Sequence, residues 1–158
     1  MATITATLAP AHGGDSRGRQ PYMVEQTIDL TANSIAPGDV VQALTVPANT
    51  KIIAAGIQVT ASATQNTGTD ATAILGTAVD DNEYVAAFDI DGAADGAYAP
   101  SAAVAGDIVI TSADTLDVTL AGSGASFTAG TLRVYAVMMD VSALGEMTAN
   151  EVDRDTLA

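Results

Sequence analysis

TLDVTL, at positions 115–120, places a large apolar side chain at every second residue, with threonine or aspartate between them. Because successive side chains of a β-strand point to opposite faces, this alternation predicts a strand with one buried and one exposed face. VEQTIDL, at positions 24–30, follows the same rule. TLRVYAVMM, at positions 131–139, is apolar on both faces except at Arg133, which is typical of a central, covered strand. The period of two therefore predicts β-structure.

Similar runs recur along the chain between turn-forming residues, and strands are expected at residues 40–46, 51–60, 71–77, 83–90 and 108–110. The connection 47–50 is short enough to predict a hairpin between the strands that flank it. The polar stretch 61–69 and the Ala-, Gly- and Asp-rich stretch 91–106 are expected to be loops. About eight strands without an amphipathic helical pattern predict an all-β fold, an antiparallel, jelly-roll-like β-sandwich.

The same alternation predicts which side chains form the core. On the strand 51–60, the expected inward row is Ile53, Ala55, Ile57 and Val59. Elsewhere the expected inward residues are Ile28, Leu30, Leu44, Leu116, Val118 and Val134.

Three regions are expected in the chain: an extended N-terminal arm over residues 1–21, the sandwich over 22–141, and a C-terminal tail over 142–158. The tail has weak helical spacing, so a short helix and a second arm both remain open. The N-terminal arm contains Arg17 and Arg19, two of the five basic residues of the chain. It is either a disordered terminus or an arm ordered by another subunit, and we expect the two arginines to be contacts to a neighbouring subunit.

The charge of the chain excludes several classes of partner. Nineteen acidic residues against five basic ones give a formal net charge of −14. Nucleic acid and anionic membrane surfaces are therefore poor partners. Cysteine is absent, which excludes disulfides and thiolate chemistry, and no apolar run approaches the length of a membrane span. With no basic start followed by an apolar stretch at its N-terminus, the chain is expected to be made in a cytoplasm and to stay soluble.

Catalytic signals are nearly missing from the sequence. The single histidine, His12, lies in the Gly-rich arm without a fixed partner for general-base chemistry. Carboxylate pairs such as Asp80 with Asp81 could serve glycoside hydrolysis. The chain has no tryptophan and few other aromatic residues to form sugar subsites, so these aspartates are interpreted as turn residues. We therefore expect no enzymatic activity and no catalytic residues.

Calcium is the one cofactor for which the sequence offers candidates. Asp89, Asp91 and Asp95 bring three carboxylates into a Gly-rich segment, and hard cations prefer such oxygen ligands. The spacing departs from an EF-hand loop because the first glycine comes too early and no glutamate closes the loop. Asp and Gly are equally typical of ordinary turns, so the expected cofactor set is none, with calcium as the minor alternative.

One longer stretch resembles a known family. GDVVQALTVPANTKIIAAGIQV, at positions 38–59, resembles the pattern GDV-x-x-x-L-x-[VI]-PA-x-T, a hairpin leading into an apolar strand. This pattern is found in small virion structural proteins of tailed bacteriophages. The strand at 22–30 and the late strand at 130–138 extend the resemblance over residues 22–139.

The resemblance implies a capsid decoration (cement) protein, located on the exterior of the virion and made in the cytoplasm of the infected host cell. Its implied partners are the major capsid protein and further copies of itself, with a homotrimer preferred. The family provides no fixed functional residues to transfer. The alternative is a head-fibre or host-surface carbohydrate-binding module, for which Tyr84, Tyr98 and Tyr135 would be surface contacts.

Overall fold

The computed structural model describes residues 20–32, 35–100 and 109–141. Within them no helix has the length and apolar character that crossing a bilayer requires. The strands of this part of the chain are β1 (Tyr22–Asp29), β2 (Val40–Val46), β3 (Thr50–Gln65), β4 (Thr72–Gly76), β5 (Val85–Asp89), β6 (Tyr98–Pro100), β7 (Val109–Ile110), β8 (Asp114–Ala121) and β9 (Phe127–Asp140).

These strands form two antiparallel sheets. One has the order β1-β9-β3-β6, with β7 also paired to β3, and the other has the order β2-β8-β4-β5. The chain passes between the sheets as it proceeds, and the last strand, β9, lies beside the first. This arrangement confirms the all-β, antiparallel, jelly-roll-like sandwich. Residues 20–32, 35–100 and 109–141 contain one strand more than expected, because β6 lies inside the stretch 91–106, which was predicted to be a loop.

The core lies between the two sheets and is built from the inward rows that the alternation predicted. On β9, every second residue from Leu132 to Met138 is buried. On β8, Leu116, Val118 and Leu120 are buried in the same way. The predicted inward residues confirmed as buried are Ile28, Leu30, Leu44, Ala55, Ile57, Val59, Leu116, Val118 and Val134.

The predicted hairpin between the second and third strands is wrong. β2 pairs with β8 in one sheet, whereas β3 pairs with β9 in the other. The connection 47–50 is therefore a corner that carries the chain across the sandwich, and Asn49 takes a positive φ of 58° there. A short turn-rich connection is compatible with both geometries, and pairing with distant strands determines which one forms.

Ile53 does not belong to the inward row as predicted, since it is exposed while Ile52 is buried. The register of β3 against β9 shifts between Ile52 and Ala54. A β-bulge adds one residue to one strand, which changes the face of the residues around it relative to strict alternation. Ala55 and Ile57, beyond the bulge, remain inward as predicted.

The stretch 61–69, predicted to be a polar loop, is strand as far as Gln65. The Gln65 side chain joins this strand to the connection between β8 and β9. Its Oε1 accepts from the Gly124 amide at 2.7 Å, and its Nε2 donates to Asp70 Oδ1 at 3.1 Å. The same Asp70 oxygen accepts from the amide and the hydroxyl of Ser123, each at 2.9 Å. Gln65 and Asp70 thus bind the connection after β3 to the connection between β8 and β9.

Two hydrogen-bonded carboxylates predict how stability responds to acid. Bonds from the Ser123 amide and then the Gln65 side chain lower the pKa of Asp70, and bonds from the Thr31 hydroxyl and then its amide lower the pKa of Asp29. A carboxyl group whose pKa is lower in the folded than in the unfolded state stabilises the fold at pH values above its unfolded-state pKa, here 3.8. This stabilisation is lost as the pH falls through the folded-state pKa.

We therefore expect the free energy of unfolding to fall as the pH is lowered below 3.8, and to fall less steeply in the Asp70→Asn variant. Urea unfolding at a series of pH values measures the effect. Asp29→Asn combined with Asp70→Asn is expected to flatten the profile further. Identical acid profiles for the wild type and the double variant would show that these carboxylates are not the groups responsible.

Candidate assembly surface

Arg17 and Arg19, the predicted contact arginines, lie outside the described residues, as does His12. The expected C-terminal tail, residues 142–158, lies outside them too. The roles of these residues therefore stay predictions.

The three calcium candidates lie at the end of β5 and directly after it, and each carboxylate has a different backbone partner. Asp89 Oδ1 accepts from the amide three residues later at 2.7 Å. Asp91 Oδ2 accepts from the Ala71 amide at 2.9 Å, and Asp95 Oδ1 accepts from the Ser62 amide at 2.9 Å. Among residues 20–32, 35–100 and 109–141, no group of three His, Cys, Asp or Glu side chains is placed to hold a metal ion. In this structure Asp89 fixes the turn that follows β5, whereas Asp91 and Asp95 bind the segment after β5 to Ala71, just before β4, and to Ser62 of β3.

The acidic residues between β4 and β5 also build a turn. Asp80 Oδ1 accepts from the Asn82 amide at 3.3 Å, and the Asp80 carbonyl accepts from the Thr77 amide at 2.8 Å. Burial, together with the negative charge of Asp80, raises the pKa of Glu83.

Tyr84 is a core residue and not the surface contact that the carbohydrate-binding alternative requires. Only 1% of it is exposed, and its amide donates to the Leu75 carbonyl at 2.9 Å. Burial raises the pKa of its phenol, and the neighbouring Glu83 raises it further. The prediction failed because the acidic turn before Tyr84 is exposed, whereas the chain enters the core immediately after that turn.

The other two tyrosines of that alternative lie together on the outer face of the five-stranded sheet. The rings of Tyr98 and Tyr135 stack with centroids 5.3 Å apart and an interplanar angle of 19°. Tyr135 lies over Gly56 of the neighbouring strand, where an added Cβ would collide with the tyrosine hydroxyl. Tyr98 remains 48% exposed. The two rings form an apolar platform with a polar rim, a combination common at protein interfaces.

Arg133 occupies the adjacent row of the same face. One terminal nitrogen donates to Gln58 Oε1 at 2.5 Å, and the other lies 3.7 Å from Glu25 Oε2. The Arg133 Nε is buried and has no hydrogen-bond partner in the described part of the protein. Because the pair with Glu25 is largely exposed, it contributes only about 0–1 kcal/mol.

The opposite end of this face is apolar. The strand register places Met23 beside Val137 and places Val109 and Met139 on either side of Lys51. Met23 and Val109 are exposed, as is Ile53 at the bulge. Exposed apolar side chains grouped on one face of a sheet are typical of contact surfaces. We call this face, carrying Met23, Ile53, Tyr98, Val109, Arg133 and Tyr135, the outer-sheet face.

The sequence contained a signal for this surface, namely the apolar character of β9 on both faces. That pattern correctly predicts a central strand. Its outward residues, such as Tyr135 and Val137, are only partly buried, and no second layer of the described chain covers them.

Known structures provide the comparison for this fold. No protein-family model matches the chain, and no curated protein sequence matches it. A chain in the cyanophage Pam1 capsid asymmetric unit is similar with a TM-score of 0.60 and 18% identity, over 87% of this chain and 97% of that one. The fold is one that phage capsids contain.

Two further capsid structures contain similar chains. A chain in the capsid of Ralstonia phage GP4 is similar with a TM-score of 0.59 and 20% identity, over 88% of this chain and 93% of that one. A chain in the acidic stable capsid of Helicobacter pylori bacteriophage KHP30 has a TM-score of 0.50 and 16% identity, over 74% of this chain and 86% of that one. At these identities the likeness shows a shared fold.

Proposed function

We propose that this protein is a non-enzymatic virion structural protein, a capsid decoration protein that binds and stabilises the shell of the major capsid protein from outside. The observation that carries the proposal is the likeness to a chain of the Pam1 capsid over 97% of that chain's length. The match covers 87% of this chain and almost the whole of that chain, so the likeness extends over nearly the whole length of the capsid chain.

The chemistry of the chain is consistent with assembly on a repeating lattice. The outer-sheet face offers an aromatic platform, exposed apolar side chains and a half-exposed guanidinium. Individually weak contacts of this kind become strong when many copies bind a symmetric shell. The proposal includes association of the protein with itself, with a trimer preferred because threefold positions are natural docking sites on an icosahedral shell.

Arg17 and Arg19 are proposed to anchor the N-terminal arm to an acidic neighbour, either a sister copy or the shell. On a molecule of net charge −14, two closely spaced guanidinium groups can bind carboxylates of a neighbouring copy. A guanidinium binds a carboxylate through two parallel hydrogen bonds, which a lysine does not reproduce.

A head-fibre or carbohydrate-binding role is the second candidate, and the exposed Tyr98–Tyr135 stack is the observation that favours it. The burial of Tyr84 weakens this candidate, because only two of the three tyrosines expected to be surface contacts remain available. The two functions differ in copy number, since a decoration protein covers the shell whereas a fibre occupies few positions.

Purified particles of the phage that encodes the protein test the proposal in two steps. Quantitative mass spectrometry is expected to find the protein in abundance comparable to the shell protein, whereas a fibre would be scarce and an enzyme scarce or absent. Particles depleted of the protein are then incubated with wild type and with Arg17→Ala/Arg19→Ala across a salt series. The alanine variant is expected to keep its melting temperature and to bind about tenfold or more weakly.

Arg17→Lys/Arg19→Lys is the matched control, because it keeps the charge and removes the paired hydrogen bonds. Its binding is expected to lie between those of the wild type and the alanine variant. Scarcity in the particle would overturn the decoration role. Equal binding of all three proteins at every salt concentration would overturn only the role of the two arginines.

A further inference from the structure

The two sheets leave an open cleft on the side of the sandwich where β1 and β2 are the edge strands. Its volume is about 840 Å³. Tyr22 and Val24 of β1, Thr45 and Val46 of β2, and Met138 of β9 contribute to its lining. Most of these side chains are apolar, so the cleft suits an apolar occupant.

Both strands beside this cleft have one edge that no other described strand pairs with. β1 pairs with β9, and β2 pairs with β8. An exposed strand edge presents backbone donors and acceptors to which a further strand can add. The register of β2 shifts between Gln42 and Leu44, and a bulge of this kind disfavours strand addition. β1 pairs with β9 without a shift from Tyr22 to Asp29, so β1 is the regular template.

The N-terminus of the chain contains a segment with the pattern of a half-buried strand. Residues 2–8 read ATITATL, with Ala2, Ile4, Ala6 and Leu8 on one side and threonines on the other. The isoleucine and the threonines are β-branched and favour extended structure. As a strand these residues would span roughly 23 Å, similar to the length of the eight-residue β1.

We propose that residues 2–8 of one copy add as a strand to the β1 edge of a second copy, with Ile4 and Leu8 directed into its cleft. The length of the connecting segment brings a second copy within reach. Residues 9–21 separate the added strand from β1, whereas a return within the same chain needs only about 2–5 residues. Fully extended, this connection reaches roughly 43–47 Å, more than the diameter of a small domain.

The proposal concerns self-association in solution and does not depend on binding to a shell. Amide hydrogen exchange measured by NMR on the full-length protein tests it directly. At concentrations where the protein self-associates, every second amide within residues 3–8, those that donate to β1, is expected to exchange about a hundredfold or more slowly than in an unstructured peptide. On dilution to the monomer this protection is expected to disappear.

Ile4→Asp/Leu8→Asp places charges in the apolar cleft and is expected to weaken self-association about a hundredfold or more. Thr5→Asp/Thr7→Asp is the matched control, with the same charge on the opposite side of the strand, and is expected to associate within about tenfold of wild type. Sedimentation equilibrium measures both.

If the protection persisted unchanged in the monomer, residues 2–8 would occupy the cleft of their own copy. That result would overturn the addition of this strand to a second copy. Absence of protection at every concentration, or equal effects of the two double variants, would overturn the docking itself. None of these results bears on attachment to particles, which the arginine variants test separately.

Discussion

Leu116→Ala is expected to lower the free energy of unfolding by about 2–5 kcal/mol. Leu116 is 0% exposed and lies on β8, the second strand of its sheet, directly opposite Leu44 of β2. Removing its side chain leaves a cavity between the sheets, and the two strands that flank β8 restrict how far the site can collapse. Urea unfolding followed by circular dichroism measures the loss.

Val79→Ala is the control for this substitution. Val79 is 94% exposed in the connection after β4, so trimming it is expected to change stability by less than about 0.5 kcal/mol. Equal effects of the two substitutions would contradict the inward orientation of the β8 row.

Gly130→Ala is expected to cost about 2–5 kcal/mol from two sources, backbone strain and overpacking. Gly130 has a φ of 132°, a region that residues with a Cβ rarely adopt. An added Cβ would also lie 2.8 Å from Ala63 Cα and 2.9 Å from Leu30 Cδ1. The leucine methyl group can move away, but Ala63 Cα belongs to the backbone of the central strand β3.

Gly96→Ala separates the two sources. Gly96 has a φ of 89° and no atom within 4 Å of the position its Cβ would take. Its substitution is expected to cost only the strain, about 1 kcal/mol. If thermal denaturation showed the same loss for both variants, crowding against Ala63 would not contribute.

The parts of the fold that the sequence predicted are those that local alternation determines. Leu116 and Val118 point inward because an extended backbone alternates its faces whatever strand lies beside it. The same reasoning located the cores of β1, β2, β8 and β9. The error at Ile53 shows its limit, since a single bulge reverses the assignment without a clear mark in the sequence.

Local alternation does not predict which strands pair with each other. Ile28 pairs with Leu132, and Leu44 pairs with Leu116, so each contact joins segments far apart in the chain. The short connection 47–50 suggested a hairpin because local turn chemistry does not report which sheet a strand joins. Tyr84 was misplaced for a similar reason, since the side chains that bury it come from the tertiary fold.

The same limit applies to the candidate surface, of which only the local pattern could be predicted from the sequence. The double-sided apolar character of β9 is a local feature and indicated a covered strand. The outer-sheet face itself combines Met23, Ile53, Tyr98 and Arg133, from four strands that only the sheet order brings together. The Tyr98–Tyr135 stack in particular requires β6, a strand of three residues inside a stretch whose composition indicates a loop.

The pairing of β1 with β9 has a consequence for how the protein is made. Ile28 and Leu132 lie 104 positions apart (132 minus 28), so the ribosome releases the first strand long before its partner exists. Closing so long a loop is slow, and until then both β1 and β3 lack their shared neighbour. A nascent chain halted before β9 therefore exposes two strand edges to other nascent chains, and fast completion of synthesis protects the protein from aggregation.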